Sequence, residues 1–441
     1  MSSIYDLIIV GGGAAGLRVG IEALKTKPSL NCCILEKYGY IGGRIVTFRK
    51  DIPKVGEVQW ENGAGRISFS HKKVLRLFHD YKLTLIPIPG DTDYINDTTH
   101  SNKIPYVTGN KFSDLIDFYL GPIKMLDSHI LATHTLKELL DKTVGSGNAK
   151  HFYEQFPYYA EIHTLRADLA LESFSKEMKT NENFGVCKEG LSTLTDAMTN
   201  EFISRGGKII MDTDLYSVNN NSDRSITLYC RVRNTTKKTS YTGKVVVLAL
   251  HHEALKNIEG VNKISVLKHL TMMPLLRMYA VFPARNGVSW FSGLNKTVTN
   301  SVIRYIIPID PKRGIVMISY TDGLDAKWWI KQDESAAEHG DDNVKDLIMT
   351  EIRKLFPDRT IPDPIFFKQH PWYEGCTYWL PGNYDVEDES KKSIHPRSNT
   401  FPNLFMCGES FAVKQCWIES ALDQADKLLD NKKFRIALRN V

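Results

Sequence analysis

The chain has 441 residues, of which 42% are hydrophobic, 24% charged and 10% aromatic, a composition that excludes disordered and collagen-like proteins. A formal charge of +5, spread over 56 basic and 51 acidic residues, leaves no basic arm, so we expect no nucleic-acid partner. The longest aliphatic run, residues 245–250, is far below the roughly 20 residues that a membrane span needs, so we expect no membrane association.

Length and cysteine usage bear on organisation and compartment. A single core stops growing well below 441 residues, which predicts two domains. The first strand-like run starts at Tyr5, which leaves no room for a signal peptide, so we expect a cytoplasmic protein. Seven cysteines without CxxC spacing indicate reduced thiols, and the histidines of residues 91–186 lack metal-binding spacing, so no metal is expected.

The chain opens with a strand, a glycine-rich turn and a helix. Residues 5–10, YDLIIV, are apolar and β-branched, and helical apolar spacing follows the turn GGGAAG. In such a turn Gly11 permits the tight bend, Gly13 lets the backbone approach a pyrophosphate, and Gly16 lets the helix pack closely on the strand. The helix N-terminus then offers free N–H groups to an anion. This stretch predicts a dinucleotide site.

A second strand-like run, residues 31–35, ends at Glu36, where a βαβ unit brings a carboxylate to ribose hydroxyls. Shortly after it, Gly42, Gly43 and Arg44 place a guanidinium next to two glycines. Arginine binds phosphate oxygens through two parallel hydrogen bonds, so this loop is a candidate second phosphate contact. An ordinary surface arginine is an equally common reason for such a pattern.

These three features, followed by ENGAGRI at residues 61–67, resemble the flavin-containing amine oxidases, a family of monoamine, polyamine and L-amino-acid oxidases. The resemblance implies an α/β fold in which a Rossmann-like FAD-binding domain carries an inserted α+β substrate domain. It assigns residues 1–68, 185–262 and 371–441 to the FAD-binding domain. Residues 69–184 and 263–370 then form the substrate domain.

The middle of the chain is read from periodicity. Residues 113–126 and 138–143 have the spacing of amphipathic helices. An aromatic cluster at residues 153–159 could line a pocket, although core packing is the more frequent reason for such a cluster. Residues 225–233 and 240–247 alternate as a hairpin or meander would, and residues 245–250 predict a fully buried strand. Two more strands are expected on either side of a turn at residues 310–314. Residues 331–354 are rich in lysine and acids and predict a solvated surface helix.

The resemblance also implies roles near the flavin. Arg66 matches an arginine that holds the substrate carboxylate in L-amino-acid oxidases, although a bond to backbone or phosphate is an equal alternative. Arg277 stands where most of these oxidases carry a lysine close to flavin N5; arginine keeps the charge but not the ability to lose a proton. Tyr305 is a candidate substrate-facing phenol, and Trp417 matches an aromatic residue in front of the flavin.

The end of the chain resembles the family too. Residues 370–382 are similar to a loop that leads into the flavin, and Cys376 lies too near Gly382 to match the cysteine that binds FAD covalently in monoamine oxidases. We therefore expect non-covalent FAD. A strand, Gly408 and Glu409 precede a helix that begins near Trp417, whose N-terminus would stabilise a reduced flavin.

The resemblance and the motifs together give a set of expected FAD contacts: Gly11, Gly13, Ala15, Gly16, Glu36, Gly43, Arg44, Gly63, Ala64, Gly65, Arg66, Leu215, Gly408, Glu409, Trp417 and Ile418. The expected reaction converts an amine or L-amino acid into an imine while O2 becomes H2O2, in a chain that could form a homodimer. Two alternatives stay open: a desaturase or dehydrogenase of the same fold acting on a non-amine, and a flavin-binding protein without turnover.

Overall fold

The computed structural model describes residues 4–90, 92–100, 112–177, 184–339 and 343–441. The strands in these residues are β1 (Ile4–Val10), β2 (Cys32–Leu35), β3 (Thr47–Ile52), β4 (Gly56–Glu61), β5 (Ile67–Ser68), β6 (Leu85–Pro87), β7 (Thr92–Ile95), β8 (Phe184–Cys187), β9 (Lys208–Ile210), β10 (Thr213–Asn220), β11 (Ile226–Val232), β12 (Lys238–Leu248), β13 (Leu270–Val281), β14 (Lys296–Thr299), β15 (Tyr305–Asp310), β16 (Ile315–Asp322), β17 (Phe366–Trp379) and β18 (Leu404–Met406).

The helices in the same residues are α1 (Ala14–Thr26), α2 (Lys72–Asp80), α3 (Phe112–Lys124), α4 (Ser128–Thr133), α5 (Leu136–Val144), α6 (Ser146–Gln155), α7 (Tyr159–His163), α8 (Ala167–Glu177), α9 (Ser192–Ser204), α10 (His252–Lys256), α11 (Gly323–His339), α12 (Asn343–Leu355), α13 (Val386–Ser393), α14 (Ile418–Asp430) and α15 (Lys432–Arg439). Mixed α/β architecture is therefore confirmed. No helix among the described residues is long and apolar enough to cross a bilayer.

The first sheet has the strand order β10-β11-β12-β1-β2-β9, and β18 pairs with β12. Strand β1 lies at its centre and pairs in parallel with both β2 and β12. Its consecutive side chains point to opposite faces: Leu7 and Ile9 enter one apolar cluster with α1, α9 and α14, whereas Ile8 and Val10 enter another. Both faces are covered, which explains the unbroken apolar run in the sequence.

A second sheet has the order β17-β13-β16-β15-β14-β7. Strand β13 lies between β17 and β16 and is antiparallel to both. The hairpin predicted around residues 310–314 is present as β15 and β16, and β11 and β12 form the predicted antiparallel pair. The stretch expected to be a loop, residues 370–382, is largely strand β17, so that expectation was wrong. Pairing with β13 over nearly its whole length overrides the glycine and proline in its sequence.

The acidic and basic stretch at residues 331–354 was predicted to be one solvated surface helix, and the structure differs from that prediction. This stretch belongs to two helices, α11 and α12, and the second of them buries Val344, Ile348 and Ile352 in a core that also contains Trp329. The charged residues of the exposed face dominate the composition of this stretch, so the composition did not predict the apolar face, and one such face is enough to bury a helix.

Candidate functional site

Four parallel strands bring separate parts of the sequence to one edge of the first sheet. Strands β1, β2, β12 and β18 run in the same direction, so their carboxyl ends lie together. Gly11 follows β1, Glu36 follows β2, residues 249–251 follow β12, and Gly408 and Glu409 lie just beyond β18. In open α/β sheets, ligands bind outside these carboxyl ends, so we call this edge of the first sheet the ligand edge.

The glycines of the first turn have different surroundings. A Cβ atom on Gly16 would lie 2.0 Å from the carbonyl oxygen of Gly11, so helix α1 packs on the turn without space for a side chain. A Cβ on Gly13 would meet only the carbonyl oxygen of Gly42, at 4.0 Å. Gly13 is also the N-cap of α1 and supplies no side-chain cap, which leaves N–H groups of the first turn available to an anion.

Glu36 is held at the end of β2 by backbone donors. Its carboxylate accepts from the N–H groups of Gly12 at 2.7 Å and Tyr38 at 2.9 Å. Burial raises the pKa of this carboxyl group, and these hydrogen bonds act against that rise. The N–H of Thr213 donates to the backbone carbonyl of Glu36, which brings the start of β10 and the buried Leu215 beside the acid.

Arg44 joins the phosphate-loop candidate to the C-terminal segment. Its Nη2 lies 2.6 Å from Oε2 of Glu409, and its Nη1 donates to the carbonyl oxygen of Gly375 at 2.8 Å. The Glu409 side chain is only 6% exposed, and its Oε1 accepts from the N–H of Cys416 at 2.5 Å. Gly408, with φ of +137°, turns the chain into this arrangement.

The glycine-containing segment 62–65 lies between Arg44 and β13. The N–H of Ala64 donates to the Arg44 carbonyl, and a Cβ on Gly63 would lie 2.1 Å from that oxygen. Arg277 reaches the segment from the other side, because its Nη1 donates to the carbonyl oxygen of Glu61 at 3.1 Å and lies 3.2 Å from the Cβ position of Gly65. Arg277 thus orients this backbone.

A cavity of about 250 Å³ opens beside α14. Aromatic and acidic side chains share its walls, among them Glu161, Glu172, Phe184, Tyr378 and Trp417. Trp417 is the N-cap of α14, which begins at Ile418, and its ring is stacked on Phe184 at a centroid distance of 6.0 Å. The helix start predicted near Trp417 is therefore confirmed.

Arg66 and Tyr305, the two predicted substrate contacts, are not among the residues that line this cavity. The guanidinium carbon of Arg66 lies 5.1 Å from the ring centroid of Phe184, which is itself a wall residue. Tyr305 is 4% exposed and packs between Tyr158 and Tyr320, at 5.6 and 5.9 Å between ring centroids. A substrate contact at Tyr305 stays a prediction that this packing does not favour.

The cysteines differ from expectation at one place. Cys376 and Cys416 form a disulfide with their Cα atoms 5.4 Å apart, so the prediction of reduced thiols was wrong for this pair. The other five cysteines are free and buried. The pair could not be found from spacing, because 40 residues separate its members.

Sequence reasoning also missed His251 at the end of β12, although the buried strand before it was predicted. Its Nδ1 accepts from the N–H of Ala254 and caps α10. Burial, followed by the positive charge of Arg44, lowers the pKa of His251 to about 3. The signal was available: any residue directly after a central parallel strand lies at the ligand edge.

The lowered pKa of His251 gives a pH-dependent prediction. Between about pH 6.5 and pH 3, His251 is protonated in the unfolded chain but stays neutral in the folded protein. The contribution of this residue to the free energy of unfolding is therefore lost as the pH falls through that range. His251→Asn retains a capping side chain and should recover about 1 kcal/mol relative to the parent at pH 5, with no gain at pH 8. Urea unfolding at both pH values measures this; an equal change at both would contradict it.

Comparison with known proteins agrees with this geometry. Residues 22–427 match the family model of the flavin-containing amine oxidoreductases. The uncharacterized protein R188 of Acanthamoeba polyphaga mimivirus is 20% identical over 488 residues, which cover 96% of this chain and 93% of that protein.

Solved structures show the same fold. Putrescine oxidase bound to putrescine superposes with a TM-score of 0.71 at 16% identity, covering 100% of this chain and 99% of that one. A candidate protoporphyrinogen oxidase from Exiguobacterium sp. 255-15 gives a TM-score of 0.70 at 15% identity, with all of both chains covered. Because the family model spans most of the sequence, the chain belongs to the flavin-containing amine oxidoreductase family.

Proposed function

We propose that this protein is an FAD-dependent oxidase that converts a cationic amine into an imine and passes the electrons to O2, forming H2O2. The observation that carries the proposal is the position of the acidic and aromatic cavity. Cys416 and Trp417 belong to its wall, and Cys416 is hydrogen-bonded to Glu409 at the ligand edge of the first sheet. A small molecule in the cavity would lie next to a dinucleotide at that edge.

The residues at the sheet edge suit FAD. Open space at Gly13 admits a pyrophosphate, Glu36 offers a carboxylate to ribose hydroxyls, and Arg44 offers positive charge. The buried Oδ1 of Asn62 has no hydrogen-bond partner among the described residues, and a bound ligand would give it one. Bound FAD would supply hydride acceptance from the carbon that carries the nitrogen. Since the Cys376 sulfur is bonded to Cys416, we propose non-covalent binding.

The protein's own groups then have positioning tasks. Arg277 and Tyr279 both donate to the carbonyl oxygen of Glu61, at 3.1 and 2.7 Å, and so fix the 62–65 segment. The first turn of α14 lies at the cavity, where Trp417 and Ser420 are wall residues, and its positive dipole end would favour negative charge that develops there. Phe184 and Trp417 form a flat apolar wall that can orient a substrate and exclude water.

The charges in the cavity favour an amine over an amino acid. Glu161 and Glu172 belong to its walls, and Glu172 is paired with Lys414 at 3.2 Å. A carboxylate attracts an ammonium group and can accept its proton, which leaves the neutral amine that the reaction needs. Arg66 would favour a carboxylated substrate instead, and its guanidinium stacks on Phe184, a residue of the cavity wall.

Anaerobic reduction of the flavin tests the proposal. We expect the yellow colour of the purified protein to bleach with pooled mono- and diamines and to return in air with H2O2. Glu161→Gln should raise KM for the responding amine roughly tenfold or more, as expected for loss of one charge-assisted contact. Arg66→Ala should leave that KM unchanged if the substrate is an amine, but raise KM for amino acids if they are the substrate.

Arg76→Ala is the matched control, because Arg76 is an exposed arginine on α2 that pairs only with its neighbour Asp80 in the described residues. It should change neither KM. Bleaching by amino acids alone would contradict the amine proposal. Colour that neither pool bleaches would instead support the non-amine dehydrogenase or the protein without turnover. Acid precipitation that releases all the flavin would support non-covalent binding.

Cytoplasmic location and homodimer formation remain predictions of the sequence. The position of each domain boundary also remains a proposal, in which the first sheet belongs to the FAD-binding part and the second to the substrate part. Strand β17 belongs to the second sheet and ends at Trp379, so the boundary that we predicted after residue 370 moves to the end of this strand.

A further inference from the structure

We propose that Cys376–Cys416 is a redox-active disulfide that exchanges two electrons with the flavin bound beside it. The inference rests on flavin binding within the proposed function, but not on amine oxidation. It gives the protein a second two-electron centre and therefore a dithiol–disulfide activity in addition to amine oxidation.

The disulfide links a strand of the second sheet to a helix that packs on the first sheet, at the ligand edge. Cys376 belongs to β17 of the second sheet, and Cys416 immediately precedes the N-cap of α14, which packs on the first. The Cα separation of 5.4 Å is ordinary for a disulfide. Each cysteine is also tied to the proposed phosphate-binding arginine. Arg44 donates to the carbonyl of Gly375 on one side and pairs with Glu409, which accepts from Cys416, on the other.

Access distinguishes this disulfide from a sealed structural one. Cys416 is a wall residue of the 250 Å³ cavity, next to Trp417, whereas Cys376 is 5% exposed. The five remaining cysteines are buried thiols, so Cys416 is the sulfur that a small thiol or disulfide in the cavity can reach. Cys416 also has φ of +72°, a conformation that costs a non-glycine residue free energy and that occurs often at functional sites.

The local charges suit sulfur chemistry. The positive end of α14 lies next to Cys416, and Arg44 lies one residue from Cys376 through its bond to Gly375. Both stabilise the thiolate that leaves when a disulfide is broken. Glu409 offers a carboxylate oxygen within 4.8 Å of both sulfur atoms, where it can hold a proton in transit.

The exchange balances without another reactant. In one direction the S–S bond accepts two electrons and two protons from reduced flavin, the bond breaks, and two thiols and oxidised flavin result. In the other direction the two thiols lose two electrons and two protons to oxidised flavin, and the S–S bond forms.

An anaerobic dithionite titration of the flavin-loaded protein tests this proposal without any amine. We expect the parent to take up twice as many electrons per flavin as Cys376→Ser/Cys416→Ser. Samples taken along the titration, quenched in acid, alkylated and digested, should show new alkylation at Cys376 and Cys416 in step with electron uptake. Cys230→Ala, a buried free thiol on β11, is the matched control and should retain the parent's uptake.

Three results would overturn the proposal. The first is equal electron uptake by the parent and the double serine variant. The second is alkylation of both cysteines before any reductant is added. The third is equally fast reduction of the disulfide by dithionite in flavin-free protein, which would show that the flavin transfers nothing. If the double variant does not fold, the alkylation pattern of the parent, with and without flavin, decides alone. Failure of amines to bleach the flavin affects none of these outcomes.

Discussion

Gly16→Ala should destabilise the whole protein, because the added methyl group has no space. Its Cβ would lie 2.0 Å from the carbonyl oxygen of Gly11 and 3.2 Å from Cγ2 of Ile9 in the central strand. Backbone cannot move aside as a flexible side chain can, so α1 must shift away from β1. We expect a loss of about 3 kcal/mol in the free energy of unfolding, a large share of an ordinary stability of about 5–15 kcal/mol. Urea unfolding followed by circular dichroism measures it.

Gly13→Ala separates this packing effect from a ligand effect in the same turn. Gly13 has φ of −78°, which any residue adopts, and its Cβ would meet nothing closer than 4.0 Å. The variant should fold with a loss of about 1 kcal/mol or less, the cost of alanine at an N-cap, and yet bind FAD roughly tenfold more weakly or worse. If Gly13→Ala retained full FAD affinity, the pyrophosphate would not approach this glycine.

Arg44→Ala should produce nearly flavin-free protein. The substitution removes positive charge from the proposed phosphate site and leaves Glu409, whose side chain is 6% exposed, without its cationic partner. We expect FAD to bind roughly 100-fold more weakly and the free energy of unfolding to fall by about 2 kcal/mol, since Arg44 is itself 29% exposed and partly screened. The flavin-to-protein absorbance ratio and FAD titration measure the first effect, and urea unfolding the second.

The double variant Arg44→Ala/Glu409→Gln distinguishes the two consequences. Removing the unpaired charge should restore part of the lost stability, because a neutral amide is less costly to bury than a lone carboxylate. It should not restore FAD affinity. Arg49→Ala removes an exposed arginine that donates to Gln59 on the β3–β4 hairpin and to the backbone carbonyl of Glu189, and it should leave both quantities near the parent values. FAD affinity in Arg44→Ala equal to that of the parent would remove Arg44 from the site.

The sequence by itself determined the local parts of this protein. The strand, turn and helix at residues 4–26, the strand before Glu36 and the start of α14 near Trp417 follow from apolar periodicity and glycine placement over short spans. The family resemblance, carried by those motifs, is confirmed over most of the chain. Such features depend on neighbouring residues, so a single sequence contains the information that specifies them.

Tertiary structure alone decided how distant residues meet. The Arg44–Glu409 pair spans 365 positions, and the Cys376–Cys416 bond spans 40. Residues 370–382, predicted as a loop, are largely a strand because they pair with β13. Residues 331–354, predicted as a surface helix, include most of α12, one face of which is buried in a core. The physical reason is common to all four. The register between strands and the contacts between layers depend on the burial of many side chains at once. A local sequence pattern therefore does not identify which distant residues come into contact.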